Sequence, residues 1–208
     1  RLTGELLDSR MVGDILYAVC AQYQWSWYGV TPVPETDTAQ PAVLKSQTSG
    51  SWVTSINCAN PDAPAPVDEV SFASMGNVIH ATTDAILVAG NTPETLSSGV
   101  QGSRITYVDI RSAQGNIAVR GGMDIPGYVG DRYKMDVYEG VLRVVSQDWN
   151  NGLKVWVSTF SLANPEAPTQ LAAVALDQAA GETLFATRFD GPRGYIVTYL
   201  QKDPLFIL

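Results

Sequence analysis

An all-β fold, built as a partial β-propeller of about three and a half four-stranded antiparallel blades, is the architecture this 208-residue sequence predicts. Three observations carry that prediction. First, the apolar residues recur with period two in short runs broken by Gly, Asn and Pro, a pattern that suits strands and not helices. Second, runs with the character of a buried strand begin near Ile15 (GDILYAVC), Ile86 (DAILVAG), Val141 (EGVLRVV) and Tyr195 (RGYIVTY), at separations of 71, 55 and 54 residues, each after a turn containing Gly or Asp. Third, the turn Cys58-Ala59-Asn60-Pro61-Asp62-Ala63-Pro64 returns 104 residues later as Leu162-Ala163-Asn164-Pro165-Glu166-Ala167-Pro168, which is two units of 52. A repeat of this length with about four strands per unit matches propeller blades, whereas solenoid repeats are shorter or helical. The alternative is a β-sandwich of ordinary hairpins, and the duplicated NPxAP turn weighs against it.

Blade-like units are expected at about 6–74, 75–125, 128–176 and 181–208, fragments of one propeller domain. The first runs from the strand at Ile15 through a long connection to Ser51–Cys58, the NPDAP turn and Val67–Ala73. Within that connection, Tyr23-Gln24-Trp25-Ser26-Trp27-Tyr28 alternates aromatic with polar and extends the parity of Ile15, Tyr17 and Val19; Thr31 to Thr48, with Pro32, Pro34 and Pro41, reads as a loop. The second unit carries Val78–Thr82, Ala85–Ala89, Arg104–Ile110 and Ile117–Arg120. In the third, Arg132–Tyr138, the Glu139-Gly140 turn, Val141–Ser146, Leu153–Leu162 and Leu171–Leu176 follow one another. The chain starts without an initiator Met and stops within an apparent strand, which reads as an excerpt of a longer protein. Open edges in such a segment predict self-association.

Composition narrows the partners. A 45% hydrophobic content suffices for a core, and no apolar run approaches the ~20 residues a membrane helix needs. Thirteen basic against twenty-one acidic residues give a net charge of −8 without any Lys/Arg cluster, which argues against nucleic acid and against anionic membrane surfaces. Cys20 and Cys58 end adjoining antiparallel strands, which sets them about four residues out of register. At ~3.4 Å per residue that exceeds the reach of a disulfide, so two separate buried thiols are expected, with a bridge across a bulge as the alternative.

The candidate binding residues are aromatic. In a propeller, the connections between second and third strands share one end of the disc with the crossovers between blades, so Trp25, Trp27, Tyr28 and Trp149 would gather there. Exposed Trp and Tyr faces stack on sugars or grip peptides at low entropic cost. Packing against a neighbouring blade or against one another is the more ordinary role for such rings. His80, the only histidine, lies on a strand, where histidine is more often structural than catalytic.

Three stretches carry a family resemblance: SRMVGDILYAV (9–19), YKMDVYEGVLRVVS (133–146) and above all TRFDGPRGYIVTYLQKDPLFIL (187–208). They resemble bacterial and archaeal secreted proteins with a C-terminal β-propeller domain, in which a phrase like VRF-G-RGYVVTF-Q-DPLFV is the most distinctive. The resemblance implies a propeller, an extracellular, cell-surface or periplasmic location, and further blades outside this stretch. It places no activity on particular residues. The Trp-rich 23–28 segment and the cysteines depart from the family.

Catalytic residues are not signalled. A Ser-His-Asp site would rest wholly on His80, and GxSxG, HExxH, CxxC, EF-hand, GxGxxG and P-loop patterns are missing from the sequence, so no metal or cofactor is implied. The favoured reading is therefore a non-enzymatic, exported binding or scaffold module for a polysaccharide or protein. The alternative is a carbohydrate-active hydrolase using two of Asp131, Asp136, Glu139, Asp148 and Asp190, although each also suits a structural role at a blade corner. A third reading has Gly/Asp turns holding structural calcium.

Overall fold

Valine, isoleucine and leucine fill both faces of the second strand of each unit, so each such strand requires an apolar neighbour on either side. The computed structural model describes residues 2, 4–22, 50–91, 102–150, 152–199 and 205–208, and among these it supplies neighbours on both sides for the second and third sheets and on one side for the first and fourth. Among the described residues, fifteen strands form four antiparallel sheets in chain order. The first contains β1 (Glu5–Val12), β2 (Ile15–Gln22), β3 (Gly50–Asn57) and β4 (Ala65–Phe72); the second β5 (Met75–Ala81), β6 (Ala85–Asn91), β7 (Gly102–Asp109) and β8 (Ala118–Pro126). The third holds β9 (Met135–Tyr138), β10 (Val141–Asp148), β11 (Lys154–Ser161) and β12 (Thr169–Ala175). The fourth holds β13 (Thr183–Asp190), β14 (Arg193–Tyr199) and β15 (Leu205–Ile207). Every sheet is an up-and-down meander, and the described sheets do not close a ring. The only helical elements among the described residues are two single 3-10 turns, Arg132–Lys134 and Asp177–Ala179.

Successive sheets pack face to face through three apolar clusters. Ile15, Tyr17, Val19 and Val53 of the first sheet meet Ile79, Ile86, Val88 and Val108 of the second. The opposite face of β6, carrying Ala85, Leu87 and Ala89, packs with Ile105 and Met123 against Met135, Leu142, Val144 and Phe160 of the third. Val145 and Val155 then meet Leu184 and Ile196 of the fourth. Alternate residues of one strand thus enter different clusters, as period-two geometry requires.

Buried polar groups tie one sheet to the next. Ser51 Oγ donates to the Ser74 carbonyl (2.8 Å) and accepts from the Gly76 N–H (2.9 Å), fastening the crossover into the second sheet. Ser103 Oγ does the equivalent to the Gly127 carbonyl (3.0 Å), 52 residues on. Gln147, 1% exposed, donates to the Glu182 carbonyl and accepts from the Leu184 N–H, joining the third sheet to the fourth. The two NPxAP corners occupy equivalent places between third and fourth strands. In each the Asn side chain accepts from the N–H two residues on, and its carbonyl from the N–H three residues on.

Two expected strands differ in extent. Arg132–Tyr138 begins with a 3-10 turn, because the Asp131 carboxylate accepts from the Tyr133 N–H and pairs with the buried Lys134 ammonium, curling the chain before β9 starts. The strand expected to end at Arg120 runs on through Gly121 and Gly122 to Pro126. The glycine pair reads as a break, but Gly121 serves a close approach. The Gly121 N–H donates to the Pro165 carbonyl (2.8 Å), and a Cβ there would lie 2.7 Å from the Glu166 carbonyl oxygen. At the hairpin between β9 and β10, Glu139 (φ 48°) and Gly140 (φ 76°) form the two-residue turn with positive φ at both positions that matches strand twist.

The cysteines are unbridged: Cys20 is buried and Cys58 half-buried. Cys20 faces Trp52, while Cys58 follows Asn57, the partner of Ile15, so six residues of register separate the thiols, not four. No helix among the described residues is long and apolar enough to cross a membrane.

Replacing Gly121 with Ala drives a methyl into the Glu166–Pro168 corner and should lower stability by about 1–3 kcal/mol, the usual cost of overpacking. Truncating Leu142, which is 0% exposed, to Ala should cost about 2–5 kcal/mol. Thermal unfolding of both variants checks this, and a melting temperature unchanged in either would contradict the packing described.

Candidate functional site

Two places bring functional side chains together. The first lies at the end of the sheets where second strands hand over to third strands. There β10 ends at Asp148, 8% exposed, whose carboxylate accepts from the Asn150 N–H (2.8 Å) and starts the connecting loop. Tyr128, in the crossover from β8 to β9, is held beside that strand end by reciprocal backbone bonds with Gln147 (2.9 and 3.0 Å). Its ring stacks on Trp149 at 4.5 Å between centroids and 11° between planes. Burial pushes the Tyr128 phenol up from its ordinary value, while Trp149 stays 47% exposed. Of the expected aromatic set, Trp149 stands on this end; Trp25, Trp27 and Tyr28 lie outside the described residues. Tyr128 escaped the sequence reading, although its place in a crossover puts it on the same end by topology.

The second place is where the first strands of all four sheets converge. Arg10 of β1, Ile79, His80 and Ala81 of β5, Met135 and Asp136 of β9, and Thr187, Arg188 and Phe189 of β13 enclose a cavity of about 370 Å³ with Arg132 and Tyr133 of the 3-10 turn. The turn packs against β5 and β13. Arg10 pairs with Asp8 (2.8 Å), and Asp136 pairs with Arg143 of β10. Arg143 also lies over the Phe189 ring, 4.8 Å from its centroid. Arg132 donates to the Tyr133 hydroxyl (3.2 Å) and covers that ring at 5.1 Å. His80 is half-buried. Desolvation pulls its imidazole below the ordinary histidine range, partly opposed by Asp136 and by the Arg132 backbone. Periodicity placed His80 on a strand but could not show that the strand faces three others.

The acidic residues weighed for hydrolysis are largely committed elsewhere. Asp131 serves Lys134 and Tyr133, Asp136 serves Arg143, and Asp148 serves the loop after β10. Glu139 occupies its hairpin turn, and Asp190 ends β13 opposite Arg193. Among the described residues no three His, Cys, Asp or Glu side chains gather as a metal-binding group. The most perturbed carboxylate lies elsewhere: hydrogen bonds from Arg111 hold Asp109 down at about 2, and Arg120 bridges it to Glu166 of the third sheet.

Successive antiparallel sheets of three or four strands whose first strands surround a common cavity define a β-propeller type of protein. The chain belongs to the beta propeller domain family, whose model matches residues 1–208. It is 36% identical over 85 residues to an uncharacterized protein of Archaeoglobus fulgidus, covering 40% of this chain and 12% of that protein. It is also 30% identical over 86 residues to an uncharacterized protein of Methanocaldococcus jannaschii, covering 40% of this chain and 13% of the relative. The matched stretch thus spans about an eighth of either relative.

Two pH effects follow. Because the folded state keeps His80 neutral below its ordinary pKa, stability is intact above pH 6.5 and falls as pH drops from there through the lowered folded value. A His80→Gln variant should lose that part of the slope in denaturant titrations between pH 7 and 5. The depressed Asp109 carboxyl contributes stability that is full above about 3.8 and is lost as pH falls through about 2. Asp109→Asn should flatten the acid limb, and an unchanged limb would remove the ion pair from the account.

Proposed function

We propose that this chain is an exported binding or scaffold module that presents its strand-two to strand-three end to a polysaccharide or protein partner. The observation that carries the reading is the Tyr128–Trp149 stack: a rigid, half-exposed aromatic pair pinned to the end of β10. Flat rings held by packing offer a sugar or peptide a large contact area without ordering cost. Trp25, Trp27 and Tyr28 are proposed to belong to the same surface, since their connection joins β2 to β3 at that end. Export rests on the resemblance of the 187–208 segment to secreted proteins.

The scaffold part of the proposal includes self-association. The fourth sheet exposes Phe185 (71%), Tyr199 (72%) and Ile207 (61%), apolar surface of the kind that the other sheets bury between them.

Glycan-array and pull-down measurements on the wild type, Trp149→Ala and the Trp25→Ala/Trp27→Ala pair test the binding end. Loss of one stacking ring should weaken binding about 3- to 10-fold, the equivalent of ~0.5–1.5 kcal/mol. Unchanged affinity in all variants would reject this end as the binding surface. A strictly monomeric mass across micromolar concentrations would reject self-association.

A further inference from the structure

The charge lining the cavity between the first strands runs against the rest of the chain. In a protein of net charge −8, three arginines and a single carboxylate line the cavity among the described residues. That carboxylate, Asp136, is already paired with Arg143, and Arg10 is paired with Asp8. Arg132 and Arg188 stand apart: neither makes an ion pair among the described residues, although each lines the cavity and they approach it from different elements. The 3-10 turn that carries Arg132 is fastened by the Asp131–Lys134 pair, so its position is set by the fold.

The walls are also aromatic: Tyr133, 62% exposed, lies under the Arg132 guanidinium, and Phe189 lines the same cavity.

We propose that this axial cavity binds the carboxylate of an acidic sugar, with the carboxylate between Arg132 and Arg188 and the ring against Tyr133. Planar guanidinium groups match a carboxylate in geometry as well as charge. A cavity of about 370 Å³ is of the size that holds a small organic ligand, which is far more than an inorganic oxyanion fills, and its ring-bearing wall suits a pyranose. An acidic peptide would use the guanidinium groups but has no need of that wall. The cavity is separate from the Trp149 end. The inference rests on the binding-module reading only in taking the protein to be a binder.

His80 adds a pH dependence. The charged and titratable groups around it are Arg10 with Asp8 from β1, Arg132 and Tyr133 from the 3-10 turn, Asp136 with Arg143 from the third sheet, and Arg188 from β13. Acidification through the lowered His80 value adds a positive charge to a cavity that is already cationic, so carboxylate binding strengthens as pH falls through that value, down to the pH at which the sugar acid itself is protonated.

Calorimetric titration of the whole chain with tri-galacturonate and with neutral tri-galactose provides the test. The acidic sugar should bind, the neutral one should not, and Arg188→Gln or Arg132→Gln should each weaken binding tenfold or more. Arg188 is exposed and makes no ion pair among the described residues, so its variant should keep the wild-type melting curve; Trp149→Ala should leave this binding unchanged. Equal binding of both sugars, or an affinity indifferent to both arginines, would overturn the proposal. Equal competition by phosphate or by a glutamate peptide would overturn the sugar assignment. Absence of galacturonate binding while Trp149-dependent binding persists would overturn this site alone. The reverse result would overturn the Trp149 end and leave the cavity standing.

Discussion

The structure depends on one constraint, the burial of the middle strands of the second and third sheets on both of their faces. In β6, Ile86 and Val88 enter the cluster shared with the first sheet, while Ala85, Leu87 and Ala89 enter the cluster shared with the third. Because the side-chain period in a strand is two, a slip of one residue would exchange the two sets and leave each beside the wrong neighbour. The register of one sheet is therefore specified by both of its neighbours at once. Such coupling also explains why the buried polar groups sit where they do. Ser51, Ser103 and Gln147 satisfy backbone atoms at the crossovers, where a strand ladder ends and apolar packing alone would leave carbonyls unpaired.

Stacking sheets in this way gathers their first strands on one side, and the cavity there is a consequence of that gathering. First strands are less confined than middle strands, so charged residues are tolerated on them: Arg10, His80, Asp136 and Arg188 occupy four different sheets and meet without leaving strand geometry. The 3-10 turn replaces the opening residues of the third sheet's first strand and brings Arg132 and Tyr133 to the same place. A site assembled from several repeats is rigid because each contributor is anchored in its own sheet. Its chemistry can vary at single positions without disturbing the cores between sheets, which lie at the middle strands.

Much of the fold was legible in the residues because it is local. The runs at Ile15, Ile86, Val141 and Tyr195 carry the apolar continuity that two-sided burial demands, and the paired NPxAP corners carry the turn chemistry that closes the third hairpin of a sheet. A further repeat, Gly50-Ser51 against Gly102-Ser103, was available in the sequence at the same spacing of 52 and marks the start of the third strands. Legibility failed where a residue answers to another sheet. Gly121 and Gly122 looked like a break in a strand, yet the strand continues, and at Gly121 the Glu166–Pro168 corner approaches too closely for a side chain. The start of the third unit looked extended, and Asp131 with Lys134 curls it.

The candidate sites divide along the same line. Trp149 was recognisable from the polar, Gly-containing loop that holds it, but its stacking partner Tyr128 comes from a crossover about twenty residues earlier. The cavity residues Arg10, His80, Arg132 and Arg188 are each at least 52 residues from the next along the chain, and no local pattern joins them. Sequence alone determined the strands, their turns and their repetition, since these arise from side-chain alternation and backbone conformation within a few residues. Tertiary structure decided which charges face one another, which are already paired and which are left over, because electrostatic partnership depends on distance through space between sheets.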